Sequence, residues 1–172
     1  MEASASVRHH RTYRHRWRRR VAKLSLSHEN VAYHRAHRPH TAAAGMKYFT
    51  LSELTHSATA TLHGWPNVAP PAAEANLRHL VEEVLDPLRE AYGHPIYVNS
   101  GYRSAQLNRA VGGVATSQHR QGQAADIRAA DNGKLAALLQ ELQLPFDQLI
   151  IYPTFLHVSW STAPRRQVIR RC

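Results

Sequence analysis

The chain has 172 residues, room for one domain of ordinary size with some length to spare. Its 22 Lys and Arg against 12 Asp and Glu give a formal net charge of +10, which excludes an acidic or collagen-like chain, and its hydrophobic content of 43% excludes wholesale disorder. The single cysteine is Cys172, so neither a disulfide framework nor a thiolate zinc cluster is available, and any metal has to be held by histidines and carboxylates.

The charge is unevenly spread. Residues 1–45 hold ten Lys or Arg against two acids, whereas 46–172 hold 12 against 10, so the excess belongs to the N-terminal stretch. That stretch carries seven of the 13 His, three of them interspersed with Arg between His9 and Arg20, where a bound cation would be repelled. Its only apolar cluster, Val21 to Leu26, is too short to bury a face, and the expectation is a disordered basic extension. With Tyr13 and Trp17 interleaved, it reads as an arm for an anionic polymer, as a plain solvated extension, or as residues upstream of a true start at Met46. No window approaches 18 consecutive apolar residues and no apolar run follows the basic start, so no membrane span or export signal is expected and synthesis in the cytoplasm is.

From Met46 the elements follow in order, in a domain expected over 46–163. Thr50-Leu51-Ser52-Glu53 has a capping-box pattern and predicts a short helix from Leu51. Residues 56–71, with Gly64, Pro66, Pro70 and Pro71, read as loop. Ala72 to Tyr92 places Leu77, Val81, Val84 and Leu88 at helical spacing, with Leu80 and Leu85 widening the stripe and Pro87 as a kink point. Ile96 to Ser100 reads as a strand, Ser104 to Val111 as a capped helix, Ala124 to Arg128 as a small-residue strand, and Asn132 to Leu142 as a helix. Phe146 to Tyr152 and Leu156 to Trp160 are two strands broken at Pro153, and 164–172 reads as a basic tail that frays. The fold class is α+β, with helices on a small, mainly antiparallel sheet.

Two of these strands hold polar groups where packing residues belong. Alternation puts Asp126 on one face of its strand with Ala125 and Ile127 on the other, and it sends His157 and Ser159 one way and Leu156, Val158 and Trp160 the other. An Asp among alanines on a central strand is costly to bury unless a cation offsets its desolvation. His119 lies seven residues before Asp126, with Gly122 between them to let the loop fold back. His119, Asp126 and His157 would form a three-ligand set with a fourth position open, as catalytic zinc requires. A lone His is more often a satisfied core or surface residue, so spacing by itself leaves both readings standing.

Asn99-Ser100-Gly101-Tyr102-Arg103-Ser104, Asn108 with Val111-Gly112-Gly113, Ser117-Gln118-His119 through Gly122 to Ala124-Ala125-Asp126-Ile127, Phe146-Asp147-Gln148-Leu149-Ile150 and His157-Val158-Ser159 together resemble the zinc D-alanyl-D-alanine carboxypeptidase family, peptidase M15, on its carboxypeptidase and phage-endolysin side. The resemblance runs from about Met46 to Trp160. It implies the fold of that family, which is hedgehog-like, one zinc ion held by His119, Asp126 and His157, and hydrolysis of an amide bond in peptidoglycan stem peptides. It implies that Arg103 reaches the substrate near the scissile bond, where a guanidinium stabilises an oxyanion or grips a carboxylate. Ser117 and Gln118 are expected to line the cleft, and Tyr152 to offer a phenolic hydrogen bond.

The sequence departs from the family at the proton acceptor. Many members place a Glu three residues before the last His ligand, where this chain has Thr154, which cannot take a proton from water. Asp147 is the nearest acid and is the candidate base, with a purely structural role as its alternative. The functional expectation is a zinc hydrolase that cuts or remodels cell wall as a monomer, in a phage, prophage or tail-associated setting. The alternatives are a zinc-containing module that binds wall peptides without cutting them, and a nucleic-acid binder acting through residues 1–45.

Overall fold

A computed structural model describes residues 45–171. The basic extension expected over 1–45 therefore lies, except for Gly45, outside the described residues, as does Cys172.

Helix α1, Leu51–Thr55, starts as its sequence dictates. The Thr50 hydroxyl accepts from the Glu53 amide at 3.2 Å while the Glu53 carboxylate accepts from the Thr50 amide at 2.9 Å, closing the capping box. The stretch expected to be loop contains a further short helix, α2, Ala58–Leu62. Ser57 caps it and the helix breakers Gly64 and Pro66 come only after it, so alanines at 58 and 60 are free to continue one turn.

The long helical run is one rod in three parts: α3, Pro71–Leu80, a π turn over Val81–Leu85, and α4, Asp86–Tyr92. Pro87 explains the middle part. It has no N–H for the Glu83 carbonyl and its ring would press on that carbonyl, so the chain widens by one residue and the Asp86 amide donates to Val81 instead. The rod buries Leu77, Leu80, Val81, Val84, Leu85 and Leu88 completely. Asp86 fastens the start of the domain to it, its carboxylate accepting from the Lys47 and Tyr48 amides at 2.7 and 3.0 Å.

Strands β1 (Tyr97–Ser100), β2 (Ala124–Arg128), β3 (Phe146–Ile151), β4 (Leu156–Trp160) and β5 (Gln167–Arg170) make one sheet in the order β1-β2-β4-β3-β5. All neighbours are antiparallel except β3 and β5. Ala125, Ile127, Leu149, Leu156 and Val158 join the leucines of the rod and Leu135 and Leu139 of helix α6, Asn132–Glu141, in a single core. Helix α5, Ala105–Ala110, is capped by Ser104. The structure corrects the expectation for the C-terminal segment: 167–170 is not fraying chain but a strand paired in parallel with Gln148–Ile151.

Candidate metal centre

Register brings the polar residues of the sheet together. Ser100 on β1, Asp126 on β2 and His157 on β4 sit opposite one another in successive antiparallel pairs, in one row across the sheet. The alternation expected of β2 and β4 holds, because Asp126 and His157 share a face while their apolar neighbours enter the core.

His119 reaches the row from a 3-10 turn, Gln118–Gln121, that ends at Gly122. Gly122 has φ 69° and lies so close to the Ala73 carbonyl that a side chain could not fit, so the turn can both reverse and seat against the first residues of α3. The His119 ring is buried and its Nδ1 donates to the Gly101 carbonyl at 2.7 Å. That bond fixes the tautomer, and the lone pair of the neutral ring is therefore on Nε2.

Three ligand atoms then converge. His119 Nε2 is 3.2 Å from Asp126 Oδ1, His157 Nδ1 is 2.9 Å from the same oxygen, and the two histidine nitrogens are 3.2 Å apart. A tetrahedral zinc with bonds of ~2.0–2.1 Å holds its ligand atoms about 3.3 Å apart, so this triangle already has nearly the required dimensions. The His119 lone pair faces a carboxylate oxygen, which is repulsive unless a cation lies between them. A proton is disfavoured in that place, since burial lowers the pKa of His119 despite the pull of Asp126. Burial also works against ionised Asp126, but the polar groups around it outweigh burial and hold the carboxyl well below its ordinary range. A metal ion satisfies all three groups at once, and His119, Asp126 and His157 are the residues that could hold it.

Arg103 lies on the other side of Asp126. Its Nη2 donates to Asp126 Oδ2 and its Nε to the Ser100 hydroxyl at 2.8 Å, which leaves Asp126 Oδ1 for the metal and Arg103 with three N–H groups unbonded among the described residues. Its backbone is locked to the metal loop, the Arg103 amide donating to the His119 carbonyl at 3.1 Å. Ser100 thus braces the guanidinium through its hydroxyl.

Sequence reasoning missed Asn67. Its side-chain amide donates to the Thr55 carbonyl at 2.7 Å and the Tyr102 carbonyl at 3.0 Å, and accepts from the Ser104 amide at 2.8 Å, so one amide grips the chain on both flanks of Arg103. An Asn in a proline-rich loop carries no pattern that could have revealed this.

The remaining candidates are placed differently. Gln118 precedes His119 directly and donates through Nε2 to Asp147 at 2.9 Å. Ser117 leads into the same turn without capping it through its side chain, and Tyr152, just past β3, stacks on Phe155 at 4.4 Å. Asp147 departs most from expectation. Besides Gln118 it accepts from the Arg165 backbone amide, Nε and Nη2 at 2.9, 2.9 and 2.6 Å, so all four lone-pair positions of the carboxylate are filled. Arg165 pulls its pKa down to about 2 against the opposing effect of burial, and a carboxylate so engaged is a poor acceptor for a proton from water. Of the two roles the sequence left open for Asp147, base and structural anion, this setting suits the second better.

A family profile described as Peptidase M15 matches residues 47–159. The zinc D-Ala-D-Ala carboxypeptidase of Streptomyces albus G is similar to the chain at 38% identity over 87 residues, 49% of this chain and 32% of that protein. The chain therefore matches about a third of the length of this curated relative.

Proposed function

From the premise that the chain belongs to the peptidase M15 family, we propose that it is a zinc-dependent hydrolase of an amide bond in peptidoglycan stem peptides, one flanked by a D-amino acid. The observation that carries the reading is the convergence of His119 Nε2, Asp126 Oδ1 and His157 Nδ1 on one point beside a partly unbonded arginine. Zinc bound there supplies Lewis acidity toward a carbonyl oxygen and toward water.

The chain's own residues do the rest. Asp126 divides its two oxygens between the metal position and Arg103, so the guanidinium is fixed beside the place where a substrate carbonyl would be polarised. From there Arg103 stabilises the negative charge that develops on that oxygen, or holds a terminal carboxylate of the peptide. Gly101 and Ser100 keep His119 and Arg103 in their orientations. Ser117, Gln118 and Tyr152 line the approach, and the action is at the cell wall, in lysis or remodelling, with a phage or prophage setting as its most specific form.

The test is release of new amines from purified cell-wall sacculi, lost with a chelator and restored by zinc. Mass spectrometry of the fragments from a defined muropeptide identifies the bond. No release by fully metallated protein overturns the reading. The engagement of Asp147, together with Thr154 where many relatives have Glu, favours one second reading, a zinc-containing module that binds wall peptides without cutting them. It predicts binding to sacculi with no amine release.

A further inference from the structure

Asp147 is buried on β3, yet its partners come from two distant places: Arg165, in the segment leading into β5, and Gln118, at the head of the turn that carries His119. A carboxylate whose oxygens only accept obliges Gln118 to turn its NH2 toward it, which fixes the orientation of that amide. The Gln118 backbone is engaged as well, its carbonyl accepting from Gln123 at 3.0 Å at the other end of the turn. The side chain and backbone of Gln118 thus tie the 3-10 turn at both ends, and the side-chain tie runs to an anion held in place by Arg165.

We propose that Asp147 is a positioning residue, which Arg165 clamps so that it anchors Gln118 and thereby holds His119 in register with Asp126 and His157. The segment leading into the C-terminal strand is then part of the metal centre's support, although Arg165 does not touch the ligands' converging atoms. The inference rests on the assignment of His119 as a ligand, and beyond that assignment it needs no turnover to be tested. An ion pair with a buried carboxylate and charge-assisted bonds of 2.6–2.9 Å is rigid enough to act in this way, because breaking it leaves an anion without solvent.

The experiment measures zinc dissociation by competition with a chromogenic chelator, beside the thermal midpoint of the metal-free protein. Full-length chain is used, as wild type, Asp147→Asn, Arg165→Ala, Arg165→Lys, Gln118→Met and the Asp147→Asn/Arg165→Ala double variant. Expected are losses of zinc affinity of about tenfold in Asp147→Asn and Arg165→Ala, the low end for outer partners of a metal ligand, with partial recovery in Arg165→Lys. The double variant should lose no more than the worse single one, because both act through one chain of contacts. Gln118→Met removes the middle link without disturbing the buried ion pair, so it should weaken zinc similarly even if another variant folds poorly.

Unchanged zinc affinity in Gln118→Met and Asp147→Asn, with only the thermal midpoint lowered, reduces the cluster to a stabilising ion pair and overturns the proposal. So does a fall of kcat by about 10²-fold or more in Asp147→Asn at unchanged zinc affinity, which is the mark of a general base. Weakened zinc in a protein that releases no amines from sacculi would leave this inference standing and overturn the hydrolase reading instead. A wild-type chain that binds no zinc overturns both.

Discussion

The carbonyl oxygen of Gly101 accepts a hydrogen bond from His119 Nδ1 at 2.7 Å, and the position that provides it tolerates no side chain. A Cβ on Gly101 would run into the backbone of Leu54, whose carbonyl accepts from the next residue, Tyr102, at 2.7 Å. Helix α1 therefore sets the place of the carbonyl that orients a metal ligand. Gly101→Ala should destabilise the fold by about 1–3 kcal/mol through this overlap and weaken zinc binding at least about tenfold through the tilted ring. Denaturant unfolding and chelator competition measure the two effects separately. Retained affinity at wild-type level would mean that the carbonyl does not orient His119.

Metal should also appear as stability. Three groups that converge with a lone pair facing a carboxylate are strained without a cation, and a ligand that binds only the folded chain stabilises it by about 2.7 kcal/mol at 100 times its Kd. The thermal midpoint should rise on adding zinc, fall back with chelator, and stay flat in His119→Ala. A comparable rise in that variant would place the zinc elsewhere.

Acid titration should report on Asp147. Its pKa is depressed to about 2 from an ordinary 3.8, so its contribution to stability is complete above pH ~4 and is lost as the pH falls through 2. The stability difference between wild type and Asp147→Asn should be constant from pH 5 to 7 and shrink between pH 4 and 2. Comparison with that variant cancels the parallel acid loss from Asp126. A difference that does not change across this range would show that Arg165 does not hold the carboxylate in solution.

Much of the centre was legible because β-strand alternation is rigid. Asp126 among alanines and His157 between Leu156 and Val158 can share a face only one way, and the structure puts them opposite each other. His119 was legible through Gly122, which marks the reversal. What stayed hidden depends on distant partners. Gln167–Arg170 has no alternating pattern and is flanked by arginines, and it becomes a strand only because the edge of β3 is open to it. With that segment read as a fraying tail, Arg165 could not be seen beside Asp147, and Asp147 looked like a free acid. The π turn was half visible: Pro87 announced a disturbance, which takes the form of a one-residue widening over Val81–Leu85 rather than the kink expected.

Arg103 gives the sharpest catalytic prediction. It donates Nε to Ser100 and Nη2 to Asp126, a two-point attachment along a planar fork that an ammonium cannot reproduce. Arg103→Lys should keep one zinc per chain and lower kcat/KM for wall peptides by about 10²-fold, the scale of losing one preorganised oxyanion donor. Activity within a few-fold of wild type would remove Arg103 from the reacting end of the substrate.

Asn67 extends that argument to a residue with no charge. Its amide holds the Tyr102 carbonyl and the Ser104 amide, the two peptide groups next to Arg103, and also ties both to the end of α1 at Thr55. Asn67→Asp keeps the acceptor for Ser104 but replaces two donated hydrogen bonds by a carboxylate facing two carbonyl oxygens. The expected cost is about 2–3 kcal/mol of stability, since two part-buried acceptors lose their partner and face a carboxylate instead. If the amide serves chiefly to place Arg103, kcat/KM should fall about tenfold while zinc affinity changes little, and adding Asn67→Asp to Arg103→Lys should cost almost no further activity. Additive losses in the double variant would show that Asn67 acts on the site by some route other than Arg103.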